Sequence, residues 1–91
     1  MREIKMTIYK YKLGRVEHQV IELPKNFKPL RTEFQDGQLC LWSIVDLESG
    51  KENFDFYIFG TGQINNDLIE LTYISTVFID GFVWHIFYRE V

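Results

Sequence analysis

The side chains able to do covalent chemistry are few and scattered. Nucleophilic catalysis needs a nucleophile, a base and an orienting group within reach of one another. Cys40 is the lone thiol, and it sits in Leu39–Val45, a run apolar on both faces. A thiol in such a run fills space and is not activated. Ser43, Ser49 and Ser75 have no Gly-x-Ser-x-Gly around them, so the strained nucleophile elbow is missing. His18, between Glu17 and Gln19, is expected in solvent. His85 follows Trp84, and two roles compete for it: a core-edge histidine bonded to Thr76, or a ligand contact. One Cys and two His exclude a disulfide framework and a multi-cysteine zinc site. The expectation is a protein without catalytic residues, metal or cofactor, and hence not an enzyme.

Two motifs suit binding better. Tyr9-Lys10-Tyr11-Lys12 alternates aromatic and basic residues, and Arg15 follows after a turn. Rings that stack with cations that meet phosphates are how a nucleotide is held. The competing reading packs the tyrosines and leaves the lysines in water. Phe59-Gly60-Thr61-Gly62 is the one glycine-rich motif, and a bare backbone there can cradle an anion. It lacks the third glycine of a dinucleotide site and the lysine of a P-loop; the competing reading is a strand exit needing positive φ. The candidate ligand-binding set is therefore Tyr9, Lys10, Tyr11, Lys12, Arg15, Gly60, Thr61, Gly62 and His85.

These residues must be positioned by strands. Alanine is absent, and aromatic and β-branched residues dominate. Strand signals recur along the chain: Ile4–Lys12, Arg15–Leu23, Leu30–Gln35, Leu39–Val45, Phe54–Phe59, Leu68 or Leu71 to Ile79, and Phe82–Tyr88. In the first, the apolar parity moves from Ile4, Met6 and Ile8 to Tyr9, Tyr11 and Leu13, which suggests a bulge or a strand passing between two cores. Pro24–Pro29 reads as a loop. Asp36-Gly37 and Asp80-Gly81 are hairpin turns. Two-residue loops would set Phe34 opposite Leu39, Val77 opposite Trp84 and Thr76 opposite His85. Asp67 with Glu70 could open one helical turn. Both tryptophans, Trp42 and Trp84, are expected in or beside the core. The prediction is one all-β domain over residues 1–91, with about seven mostly antiparallel strands in a sandwich or a partly open barrel.

With 46% hydrophobic residues the chain can form a core, so disorder is excluded. No stretch is apolar for the length of a membrane span or a signal peptide, and a cytoplasmic protein is expected. The net charge of −3 is unevenly distributed: residues 1–31 have a balance of +5 and residues 32–91 one of −8. Either the halves interleave and mix the signs, or the first strands build a basic face. An acidic chain is a poor general binder of duplex DNA, whose affinity comes from phosphate neutralisation.

The segments Ile8-Tyr-Lys-Tyr11, Leu23-Pro24, Leu39-Cys-Leu-Trp-Ser-Ile-Val-Asp46, Phe56-Tyr-Ile-Phe-Gly-Thr-Gly62, Tyr73-Ile-Ser-Thr76 and Val83-Trp-His85 together resemble a family of small bacteriophage and prophage proteins filed as a domain of unknown function. The resemblance spans nearly the whole chain, and Leu-Trp-x-x-Val-Asp, Phe-Gly-Thr-Gly and the closing Trp-His are its most specific parts. It brings no catalytic residues. It implies a phage accessory product in the bacterial cytoplasm. The function expected is a binding protein that counters host defence by sequestering a small anionic ligand such as a cyclic nucleotide signal. A domain this small would bind such a ligand as a homo-oligomer, most simply a dimer. The alternatives are an inhibitor of a host protein and a virion component.

Overall fold

A computed structural model describes residues 3–91; Arg2, one of the basic groups counted above, lies outside them. Seven strands form two antiparallel sheets: β1 (Met6–Leu13), β2 (His18–Pro24), β3 (Lys28–Gln35), β4 (Gln38–Asp46), β5 (Lys51–Gly60), β6 (Thr72–Ile79) and β7 (Phe82–Glu90). The three-stranded sheet has the order β1-β4-β3 and the four-stranded sheet β2-β5-β7-β6. They pack as a sandwich and do not close into a barrel. One 3₁₀ turn, Leu68–Glu70, follows Asp67, which makes no side-chain cap bond. The expected helical turn is thus present without the capping interaction.

Both Asp-Gly hairpins form as their chemistry requires. Asp36 and Gly37 have φ of 51° and 77°, and Asp80 and Gly81 have 52° and 84°. Phe34 pairs with Leu39, and Val77 and Thr76 pair with Trp84 and His85. Other expectations needed correction. The chain re-enters a strand at Lys28, so Pro29 lies inside β3; it is tolerated because β3 is an edge strand with a register shift between Pro29 and Arg31. β5 begins at Lys51, three residues before its aromatic run. β1 contains no bulge, since it pairs with β4 without a register shift from Met6 to Leu13. Its change of apolar parity has another cause. Met6 and Ile8 lie on the outer face, whereas Tyr11 and Leu13 turn inward to the core.

The core lies between the sheets. Phe56, Leu41, Leu23, Leu39, Val45 and Ile86 are fully buried, and Phe27 from the β2–β3 turn caps one end against Phe54 and Tyr88. Burying each large side chain contributes about 1.5–3 kcal/mol. β3 and β6 join the sheets on one side, where the Thr32 N–H donates to Ser75 Oγ at 3.2 Å and the two hydroxyls bond each other. Trp84 packs against the core as expected, but Trp42 does not: it stands half-buried on the outer face of the three-stranded sheet.

Candidate functional site

The residues singled out from the sequence fall into three places. Tyr9 and Tyr11 share the inner face of β1, with their rings edge to face at 6.2 Å. Tyr11 packs against the core, and burial, with some help from Tyr9, pushes its phenol above the ordinary value. Lys10 and Lys12 alternate with them and therefore point to the opposite, outer face. The aromatic–basic alternation of the sequence is thus divided by the pleat.

Arg15 lies elsewhere, in the β1–β2 connection. Its guanidinium stands 5.0 Å over the Phe34 ring and 3.4 Å from the Asp80 carboxylate. It lines a cleft of about 390 Å³ between the sheets, together with Val16, Glu17, Ile58, Gln63, Ile79 and Trp84. Gly60 and Thr61 do not line it; they line a neighbouring hollow of about 410 Å³ with Gly81, Phe82, Val83 and Trp84. A Cβ on Gly60 would lie 3.5 Å from the Trp84 ring, and Gly62 takes φ of 90°. The bend is closed upon itself: the Gln63 N–H donates to Gly60 O, and the Gly60 N–H donates to Gln63 Oε1, both at 3.1 Å. Arg15 and the bend therefore line separate hollows that share Trp84, and Lys10 and Lys12 line neither. Glu17 and Asp80 offset the single arginine, so the cleft has no surplus of positive charge for an anion.

Thr61 and His85 belong to the outer face of the four-stranded sheet. His85 Nε2 is 2.8 Å from Thr61 Oγ1 and its Nδ1 is 3.0 Å from Thr76 Oγ1, which in turn lies 2.8 Å from Tyr73 OH. The Thr76 contact follows from the hairpin register; the Thr61 contact ties the glycine bend to the same imidazole. A second network on this face involves residues the sequence did not mark. His18, expected merely in solvent, has Nε2 2.6 Å from Asp55 Oδ1 and stacks on Tyr57 with centroids 4.8 Å apart. Arg89 donates to Asp55 Oδ2 at 3.4 Å and to Tyr57 OH at 3.1 Å. The His18 hydrogen bond, then Arg89, holds the Asp55 carboxyl below its usual range, and the Tyr57 phenol followed by Asp55 raises Arg89. An aromatic ladder runs from His18 through Tyr57, Phe59 and Phe87 to Tyr73, crossing all four strands. β5 and β6 flank β7 and run parallel, so residues 61–71 must return along the sheet. Two of them reach the outer face: Thr61 bonds His85, and the Asp67 charge acts on Arg89.

The outer face of the three-stranded sheet is built differently. The registers set three rows across β1, β4 and β3: Lys12–Cys40–Glu33, Lys10–Trp42–Arg31 and Ile8–Ile44–Lys28. The Lys10 ammonium lies 5.6 Å from the Trp42 ring centroid and donates to Gln35 Oε1 at 3.2 Å. Among the described residues Arg31 pairs with Glu33 alone, at 3.5 Å and with both side chains about half exposed or more, an ion pair worth about 0–1 kcal/mol. Lys12 and Lys28 have no hydrogen bond or ion pair among the described residues. Ile8, Leu30, Arg31, Glu33 and Trp42 line a shallow groove of about 370 Å³. Cys40 is in the top row but is 1% exposed, a packed thiol. Trp42, Arg31 and Lys28 had no signal of their own in the sequence. Only the β4 pairings place them beside Lys10.

Among the described residues no group of three or more His, Cys, Asp or Glu could hold a metal, and no helix is long and apolar enough to cross a membrane. The chain belongs to a family defined as a domain of unknown function (DUF7352), whose model matches residues 4–91. No curated protein and no solved structure matches it.

Proposed function

We propose that this chain is a phage accessory protein that captures a nucleotide anion on the outer face of its three-stranded sheet, without transforming it, and so counters host defence. The observation that carries the reading is the row Lys10–Trp42–Arg31, an indole set between two cations on a face that no strand or turn among the described residues covers. A base stacked on Trp42 would gain about 1–3 kcal/mol. Phosphates would meet Lys10, Lys12, Lys28 and Arg31, which are spread along and across the sheet, so a ligand with two or more phosphates fits better than one with a single phosphate. Of the residues marked from the sequence, Lys10 and Lys12 serve this site; Tyr9 and Tyr11 support it from the opposite face. Arg15, Gly60, Thr61, Gly62 and His85 are excluded from it by position.

Binding without turnover is supported by how the titratable groups are committed. The His18 ring is hydrogen-bonded to Asp55 and stacked on Tyr57, and no serine, threonine or cysteine side chain is bonded to it among the described residues. The phage setting rests on the resemblance given above.

The test is a fluorescence and calorimetric titration of the Trp84→Phe variant, whose remaining indole is Trp42. The probes are cyclic di- and trinucleotides and short linear oligonucleotides, at low and high salt. Quenching with measurable heat, weakened by salt, is the expected result. An unchanged spectrum and no heat with every probe would refute the proposal, and one host protein retained stoichiometrically in its place would support the inhibitor reading.

A further inference from the structure

The sandwich has four edge strands: β1, β3, β2 and β6. Exposed edges present unpaired backbone groups, and proteins usually blunt them. β3 carries Pro29 and a register shift beside it. β6 has a register shift between Tyr73 and Ser75 and lies against β3 through the Thr32–Ser75 bonds. β2 has seven residues and ends in Pro24. β1 alone has eight residues in unbroken register, without proline or bulge, and it exposes Met6 (60%), Ile8 (58%) and Tyr9 (46%).

Which backbone groups of β1 are free can be worked out. The Leu47 N–H donates to Lys5 O, continuing the β1–β4 register, so Lys5 and the odd positions after it aim their N–H and C=O groups at β4. Met6, Ile8, Lys10 and Lys12 then aim theirs at the open edge. A second copy pairing antiparallel must match these even positions with one another. Centring on Lys10 would set Lys10 against itself. Centring on Tyr9 sets Lys10 against the partner subunit's Ile8 and Lys12 against the partner subunit's Met6. Every lysine then faces an aliphatic side chain, and every outward amide and carbonyl of these four positions has a partner. The lysines thus disfavour the register centred on Lys10, and of the others only the one centred on Tyr9 pairs all four outward positions of β1 with one another.

We infer that β1 is the dimerisation edge of this protein, two copies pairing antiparallel about Tyr9 to give a six-stranded sheet. The two Lys10–Trp42–Arg31 rows then lie on one continuous outer face, so the partner copy contributes half of the anion site. This consequence for the ligand rests on the proposed function; the pairing itself does not. The ligand class it favours is a nucleotide long enough to reach both indoles, such as a cyclic oligonucleotide or a short single strand.

The experiment is done on the protein alone. Sedimentation velocity should show twice the chain mass at high protein concentration. Residues facing each other at the twofold in a pair not hydrogen-bonded to one another have Cα atoms about 4.5 Å apart, within disulfide reach. Tyr9→Cys should therefore cross-link most chains under mild oxidation, while Thr7→Cys should leave them uncross-linked; buried Cys40 does not compete. Ile8→Lys, which places a lysine against the partner subunit's Lys10, should return the mass to that of one chain. Tyr9→Ser serves as the folding control. A single-chain mass at every concentration, a Tyr9→Cys protein that stays uncross-linked, or an Ile8→Lys protein of undiminished mass would each overturn the inference. A monomer that still binds nucleotides would refute only the pairing, and a dimer that binds none would refute only the function proposed above.

Discussion

The outer faces of the two sheets are opposites in how their polar groups are spent. On the four-stranded sheet His18, Asp55, Arg89, Tyr57, Thr61, His85, Thr76 and Tyr73 satisfy one another. On the three-stranded sheet Lys12 and Lys28 have no partner among the described residues, and Lys10 and Arg31 have weak, exposed ones. The number of titratable side chains would direct attention to the first face. Their saturation argues that they stabilise the sheet, whereas the weakly partnered cations around the half-buried indole retain capacity for a ligand. The useful question about a polar cluster is what it still lacks.

The largest effect that can break this contrast comes from charge. Reversing Lys10 and Lys12 together to glutamate should weaken nucleotide binding by about 100-fold or more, with the melting midpoint little changed, because neither lysine has an ion pair to lose among the described residues. Each cation removed should also flatten the dependence of log affinity on log salt by about 0.7 for a single strand. Trp42→Ala should cost about tenfold in affinity through lost stacking, measured by calorimetry, and a smaller loss of stability since the ring is half-buried.

Asp55→Asn should behave in the converse way. Binding stays as in the parent, while stability at neutral pH falls by about 1 kcal/mol, read by denaturant titration. The pH profile sharpens this. Asp55 has a folded pKa held below its ordinary 3.8, so its contribution is present above that value and is lost as pH falls through the depressed one. The variant should lack that part of the acid limb. The smallest effect is expected for His85→Ala, under about 1 kcal/mol, since its partners are hydroxyls that water can satisfy at an exposed site. A ligand affinity that fell with His85→Ala and held with Lys10→Glu would invert the assignment of the two faces.

Much of the fold was legible because its signals are local. Asp36-Gly37 and Asp80-Gly81 encode their own turns through positive φ, and each turn fixes the register of the strands beside it. That is why Phe34–Leu39 and Thr76–His85 could be placed from the chain alone. The β1–β4 and β2–β5 pairings join strands far apart in sequence, and no turn residue announces them. They are what bring Lys10 to Trp42 and His18 to Asp55. The glycine bend was legible as a strand exit with one positive φ, but not that Gln63 would occupy the Gly60 amide. The first strand's change of parity reads as a bulge or as a strand passing between two cores; it is neither, because its apolar residues lie on both faces at opposite ends of the strand and only Tyr11 and Leu13 meet the core.

The central claim is that the indole of Trp42 sits in an anion site. Its most direct test is the emission of Trp42 in the Trp84→Phe protein titrated with a short oligonucleotide, with and without the Lys10→Glu and Lys12→Glu changes. Saturable quenching that disappears in the charge-reversed protein is the result expected here. Emission that stays constant in the parent, or quenching equal in both proteins, would contradict it.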